Sequence, residues 1–356
     1  MQKTILHTLR IPIIQAPMAG GVSTPRLAAT VSNAGGLGFL AGGYKTAEEM
    51  RKEIIAVREM TSAPFGVNVF VPGAQSSDEK ALSSYQKELR KEAERLGVPL
   101  GDCQWDDDDW EAKLVVLYNE KIPVVSFTFG CPSADIIARL KANGSFVIVT
   151  VTSTEEAIIA AQAGAEALCV QGEEAGAHRA VFRNAKDADQ HIGLFTLLQQ
   201  IRTIVDLPLI GAGGIMTGRD LAAVLAAGAC AAQLGTAFLR CSESGAHPVH
   251  KAALVDPQFS ETVVTRAFTG RPARGLVNRF LAKYDAMAPA AYPQVHHMTK
   301  SLRKAAAEQN DPHTMALWAG RGYRLAKEMP AAELLSLLME EAREAVREAM
   351  GRVDKL

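Results

Sequence analysis

Short runs of apolar, β-favouring residues recur along the chain at Ile13–Met18, Gly36–Gly43, Phe65–Val71, Val124–Phe129, Phe146–Val151, Ala167–Gln171, Pro208–Ala212 and Ala231–Leu234. Most are continuous rather than alternating, the pattern of strands covered on both faces. Stretches with helical spacing lie between them, among them Thr46–Met60, Thr154–Ala163 and Thr217–Ala227. Ser23/Thr24 ahead of Pro25, Ser133, Ser153 and Thr217 are suited to start helices, since their hydroxyls can accept from free backbone N–H groups. Strand-to-strand intervals are mostly about 20–30 residues, the length of one βα unit. Eight such units in order predict an α/β fold, a (β/α)8 TIM barrel. The alternative is an open doubly wound sheet, but no GxGxxG follows the first strand as a dinucleotide site requires.

Two intervals are longer. Pro72–Trp110 is polar, ends in the acidic run Asp106–Asp109, and reads as a loop and helix inserted after strand three. Glu173–Ile192 is rich in small and polar residues. Long βα loops of a barrel lie on its catalytic face, so both are natural covers for a site. After the eighth strand, Glu261–Phe268 reads as a short β segment, and Gln294–Glu308, Thr314–Glu328 and Ala331–Met350 as helices. The expected division is a barrel over residues 1–240, with its insertion at 73–112, and a helical subdomain over 241–356 packed on the barrel mouth.

Composition narrows the function. The 356 residues carry 38 Lys+Arg against 39 Asp+Glu, so no basic excess exists to hold a nucleic-acid backbone or an anionic membrane. The N-terminus lacks an apolar core of roughly 7–15 residues before a cleavage site. Leu221–Leu239 is long and nearly uncharged, but its Ala, Gly, Gln233 and Thr236 fit a buried helix, turn and strand better than a lipid-facing span. The five cysteines form no CxxC, which argues against a disulfide framework or zinc ribbon. The expectation is a cytoplasmic protein, monomeric or homodimeric, with neither nucleic acid nor membrane as partner.

In a barrel the strand ends converge on one face. Here they supply Ala16–Gly21, Gly42-Gly43, Asn68, Ser126–Gly130 with Thr128, Gln171-Gly172, Gly211–Gly214 and Gln233–Thr236. Gly213-Gly214 and Gly235-Thr236 close strands seven and eight, where barrels commonly hold a phosphate on backbone amides. Asn68, Gln171 and Gln233 add donors and acceptors suited to the edge of a flat heterocycle. FMN has both parts; a sugar phosphate or pyridoxal phosphate also satisfies the pattern, although no Lys stands at a strand end for the latter. His178 lies in the glycine-rich loop after strand six, beside Arg179, and is the candidate donor or base. Glu173 and Glu174 read as solvated or paired with Arg179. His247/His250 and His296-His297 lack further ligands at metal-binding spacing, so no metal is expected. Cys131 has no base to activate it. Asp106–Asp109 reads as a solvated turn that starts a helix.

Taken together, Gln15–Gly21, Gly35–Gly38, Gly66–Pro72, Ser126–Pro132, the Gln171…His178-Arg179 loop, Gly211–Gly214 and Gln233–Thr236 resemble the nitronate monooxygenases, formerly 2-nitropropane dioxygenases, most closely the class I branch. The resemblance extends to Tyr292-Pro-Gln and Lys300. It implies an FMN-dependent barrel enzyme that oxidises alkyl nitronates with O2 to a carbonyl compound and nitrite, with propionate 3-nitronate the expected, detoxified substrate. On that basis Asn68, Gln171, Gly176, Gly213, Gln233, Gly235 and Thr236 hold FMN, Ala16 and Met18 lie against its ring, His178 is catalytic, and Tyr292 and Lys300 complete the substrate pocket. Lys300 or Arg179 would take the carboxylate of such a substrate. Two departures stand out: Ala177 and Ala180 flank His178-Arg179 where glycine is expected, and Thr128 stands where some members carry a second histidine. Two other activities compete: an FMN-dependent NAD(P)H:quinone or enoyl-ACP reductase on the same scaffold, and a flavin-free phosphate-binding lyase or isomerase.

Overall fold

The computed structural model describes residues 4–185 and 188–355. Its strands are β1 Ile13–Gln15, β2 Phe39–Ala41, β3 Gly66–Phe70, β4 Val124–Thr128, β5 Phe146–Val151, β6 Ala167–Gln171, β7 Ala177–His178, β8 Leu209–Ala212, β9 Ala231–Leu234, β10 Thr262–Thr265 and β11 Ala273–Leu276. The helices are α1 Ile5–Thr8, α2 Pro25–Asn33, α3 Ala47–Met60, α4 Glu79–Leu96, α5 Trp110–Asn119, α6 Ala134–Ala142, α7 Thr154–Gln162, α8 Leu194–Arg202, α9 Gly218–Ala226, α10 Pro248–Ala253, α11 Arg279–Tyr284, α12 Gln294–Glu308 and α13 Ala331–Val353. Eight strands pair in parallel in the order β1-β9-β8-β6-β5-β4-β3-β2. A parallel bridge from Ile14 to Leu37 brings the two edges together, so the predicted (β/α)8 barrel is observed.

Local chemistry explains the alternation. The continuous apolar runs become strands buried on both faces: Phe146–Val151 is buried at every position. Hydroxyls start the following helices as anticipated. Thr24 accepts from the Leu27 N–H, Ser133 from Ile136, and Ser153 from Glu156. Thr217 and Asp220 form a reciprocal capping box, as do Thr46 and Glu49. Leu221–Leu239 folds as the end of α9, a turn, β9 and the 3-10 turn Thr236–Phe238. Among the described residues no helix is long and apolar enough to cross a membrane.

The ring of helices is completed from far away in sequence. α13 packs against α9 and α2, the place of an eighth barrel helix. Gly218 allows the approach, since a Cβ there would lie 2.3 Å from the Leu338 carbonyl oxygen. A division at residue 240 therefore separates the eighth strand from the helix that completes the ring. The segments between them build the cover over the strand ends. There α4, from the insertion, packs on α12 through Leu82, Tyr85, Leu89, Val295, Met298 and Leu302 in a core of their own. Glu92 of α4 ties this cover together, accepting from Arg95 at 2.7 Å, from Arg279 at 3.0 Å and from the Tyr284 hydroxyl at 3.2 Å.

Two expectations are corrected here. Thr314–Glu328 is not a helix; it contains only a short 3-10 turn at Tyr323–Leu325. Its backbone is spent on other elements instead: Leu317 O accepts from Leu276, Ala319 N donates to Arg274 O, and Arg321 N to Glu174 O. The acidic run is not simply solvated. Asp108 accepts from the Tyr44 N–H at 2.9 Å, Asp109 from Ala47 at 2.7 Å, and Asp108 pairs with the buried Lys113 at 2.8 Å.

Candidate active site

At the carboxyl ends of the strands lies a cavity of roughly 640 Å³. Ala16, Met18, Asn68, Thr128, Gln171, Gly176, His178, Gly213, Gly214, Gln233, Gly235 and Thr236 all line it. Two expected residues do not. Tyr292 stands behind the wall, edge-on to Phe129 and His178 with centroids 5.5 and 6.3 Å away. Lys300 is exposed on α12, and the cation of that helix that lines the cavity is Arg303, three residues on. Tyr44, Thr269 and Trp318 also line it. Tyr44 follows the glycine pair after β2, so its position in a βα loop was the available signal. Arg303 and Trp318 reach the cavity only through the cover's tertiary packing, for which no local pattern exists.

The end of the cavity at Gly213, Gly214 and Thr236 is shaped by backbone. Gly213 and Gly214 have φ of 113° and 74°, conformations that turn successive N–H groups toward one side. The Thr236 hydroxyl accepts from Gly320 N–H at 3.0 Å, which fixes the tail segment over this end. The opposite wall carries three non-glycine residues in the left-handed region: Tyr44 at φ 67°, Phe129 at 77° and Ala177 at 59°. Such conformations cost on the order of 1–3 kcal/mol each and persist where surrounding contacts impose them.

His178 owes its position to a small sheet that the strand pattern only half revealed. β7 pairs antiparallel with β11, and β11 with β10, so the strand carrying His178 joins a sheet of tail strands and not the barrel sheet. Gln171 braces it from below: its Nε2 donates to His178 O at 3.0 Å, and its Oε1 accepts from Ala180 N at 2.9 Å and Arg179 Nη1 at 2.8 Å. Arg179 is wholly buried and pairs in two-pronged fashion with Asp189 at 2.7 and 3.2 Å. The expected pairing of Arg179 with Glu173 or Glu174 is thus replaced: Glu173 meets Arg321, and Glu174 accepts from Leu194 N–H at the start of α8. Arg179 holds the loop's base and is not among the residues that line the cavity.

The His178 Nε2 lies 2.9 Å from the Thr269 hydroxyl, which also contacts Arg271 O at 3.3 Å. A proton on Nε2 satisfies this chain in one direction, His178 to Thr269 to the carbonyl, and leaves Nδ1 with its lone pair. Burial, then the charges of Arg271 and Arg303, depress the imidazole to about 3, so it is neutral at physiological pH. Arg271 is itself buried, donates from both Nη atoms to Val181 O, and lies 4.0 Å over the Phe129 ring. His247 and His250 also line the cavity, and His250 bonds Trp318 O at 2.9 Å; His296 stacks on Tyr44 at 4.0 Å, and His297 meets Asp106 at 2.7 Å. Among the described residues no group of three acidic, His or Cys side chains is placed to hold a metal ion. Cys131 is pushed up to about 11 by burial, which makes it a poor nucleophile.

A parallel barrel with left-handed glycines at the end of β8 and a neutral histidine lining a cavity at the strand ends defines a barrel enzyme with its site on the carboxyl face of the sheet. The family model for nitronate monooxygenase matches residues 2–341, and the chain belongs to that family. A solved structure of nitroalkane oxidase from Streptomyces ansochromogenes is 53% identical, with 97% of this chain and 99% of that one covered and a TM-score of 0.95. A probable nitronate monooxygenase of Staphylococcus aureus is 39% identical over 344 residues, 95% of this chain and 96% of its own. FabK from Thermotoga maritima shares the fold at 32% identity over 98% of both chains, with a TM-score of 0.76.

Proposed function

We propose that this protein binds FMN and oxidises alkyl nitronates with O2, releasing a carbonyl compound and nitrite. The observation that carries the reading is His178 set in the cavity wall, kept neutral by burial and then by the charges of Arg271 and Arg303. That is a positive, partly dry environment for a small anion that needs no strong base to form it. The 53% identity to a nitroalkane oxidase, an enzyme named for nitro compounds, supports the same class of substrate.

The residues present fit FMN. The left-handed Gly213 and Gly214, with Gly235 and Thr236, form the phosphate cradle. A Cβ at Gly213 would stand 3.0 Å from Ala175 N, so no larger residue fits the turn without a shift. Asn68, Gln233 and the remaining N–H of Gln171 are placed for a polar ring edge, with Ala16 and Met18 for its face. When bound, FMN supplies the electron acceptor for the nitronate and the donor to O2. The chain's own task is to bind and orient the anion, limit water with Phe70, Phe129 and Met18, and hold or move a proton at His178 Nδ1 if a neutral nitroalkane enters.

The test is an anaerobic absorbance titration of the purified protein, with propionate 3-nitronate and NADH in separate cuvettes. Bleaching of a flavin spectrum by the nitronate and not by NADH, then O2 uptake and nitrite on opening to air, is the expected result. Reduction by NADH alone would establish the reductase reading instead. A protein that stays colourless with added FMN would favour the flavin-free lyase or isomerase.

A further inference from the structure

Four cations lie on the elements around His178, and their partners separate them. Arg179 is neutralised by Asp189. Arg271 spends both Nη atoms on Val181 O and its face on Phe129. Lys300 is exposed. Arg303 is different: Nε donates to Thr299 Oγ1 at 3.2 Å and Nη2 to His296 O and Nδ1 at 3.0 and 3.2 Å, all on its own helix. These bonds fix the guanidinium in the cavity wall and leave Nη1 without a hydrogen-bond partner among the described residues. Among the described residues no carboxylate forms an ion pair with it, and burial is the largest influence on its charge.

Tyr44 completes the corner. Its ring stacks flat on His296 at 4.0 Å and 7°, and its edge meets Phe70 at 5.4 Å. The left-handed backbone that puts it there is pinned by Asp108, from the inserted segment. A guanidinium held rigidly, partly desolvated and lacking a counter-anion is a receptor for a planar two-oxygen anion, because such a ligand restores both the missing charge and the missing acceptor.

We propose that Arg303 of α12, with Tyr44 beside it, is the specificity-determining anion subsite of this cavity, and that it binds a planar two-oxygen anionic group of the substrate. This deepens the functional reading above and rests on it for the substrate's identity. The shared chemistry has two sources in one molecule: a nitronate group, or a carboxylate at its far end. Lys300 and Arg179, the cations expected for that carboxylate from sequence, are not placed for it.

The test uses the purified protein with its flavin and the variants Arg303→Gln, Arg303→Lys and Lys300→Gln. Thermal melts with propionate, and with neutral propanamide as control, read anion binding without turnover. The expected result is protection of the native protein by propionate alone, lost in Arg303→Gln and partly kept in Arg303→Lys. Kinetics with ethylnitronate and with propionate 3-nitronate then identify the group held. A KM raised about 10- to 100-fold in Arg303→Gln, the loss of one hydrogen bond between charged partners, is expected with kcat changed far less. An equal rise for both substrates assigns the nitronate; a rise for the carboxylate-bearing one alone assigns the carboxylate. The proposal is overturned if Arg303→Gln keeps propionate protection and both KM values, or if Lys300→Gln loses them instead. Should both Arg303 variants fail to fold, absence of propionate protection in the native protein overturns it equally. A colourless protein without nitronate turnover that still binds propionate through Arg303 would sink the FMN reading and leave this subsite standing.

Discussion

The sharpest consequence of the site's electrostatics concerns the charge on His178. An ordinary imidazole is half protonated near pH 6.5. Here burial and the adjoining Arg271 and Arg303 place it at about 3, so at pH 6.5 the charged fraction is roughly one in three thousand. The perturbation is pH between 5 and 8, and the readout is the imidazole NMR signal of His178, assigned by its absence in His178→Asn. That signal is expected to stay at its neutral position throughout. Adding a saturating inert anion such as propionate brings negative charge beside the ring, which favours imidazolium and moves the titration upward. Arg303→Gln removes one of the two positive neighbours and moves it upward as well. A His178 signal titrating near 6.5 in the unliganded native protein, unmoved in Arg303→Gln, would refute the reasoning. It would mean that water reaches the ring freely and that the two guanidinium groups are screened from it.

Three further outcomes follow from particular contacts. Ala177→Gly removes a Cβ from a left-handed position at φ 59°; strain relief of about 1–2 kcal/mol exceeds the entropy cost of glycine, giving a Tm about 1–2 °C higher in a calorimetric scan. Burial pushes the Glu92 carboxyl up, but the bonds and charges of Arg279 and Arg95 outweigh it and hold it at about 2. Since that value is depressed, its contribution of order 2–3 kcal/mol is complete above the unfolded value near 4.5 and is lost as pH falls toward 2. Near-UV circular dichroism between pH 5 and 2 should show the cover loosening, and Glu92→Gln should show the loss already at pH 7. Asp108→Asn strands the buried Lys113 and should cost about 3–5 kcal/mol in urea unfolding, most of it recovered by adding Lys113→Met.

The barrel was legible because its signals are local. Continuous apolar runs, hydroxyl caps and glycines at strand ends each follow from the few residues around them, and they place twelve of the expected site residues around one cavity. The cover was legible only in part because its order is imposed from outside. Thr314–Glu328 has apolar and charged residues at helical spacing, yet Gly320 and Gly322 interrupt it and its carbonyls and amides serve β11, Glu174 and Thr236. β11 contains Ala273 and Gly275, poor strand formers, and exists because it lies between β10 and the histidine loop. Arg179 beside His178 looked like a ligand-facing cation; its complete burial and its Asp189 partner depend on how a long loop closes on itself.

This division has a functional logic. The end of the cavity proposed for FMN is built almost wholly from barrel strand ends, whose geometry the parallel sheet fixes. The end suited to a substrate is built from pieces distant in sequence: Tyr44 from a βα loop, braced by Asp108 of the insertion, and Arg303 from α12, which packs on the insertion's α4. His178 stands between the two, joined to the barrel through Gln171 and to the cover through β11 and Thr269. A change in the cover therefore alters the substrate wall and the field on the histidine together while leaving the glycine cradle intact. Substitutions in the insertion at positions such as Asp108 are accordingly expected to act on KM for the anion before they act on retention of the cofactor.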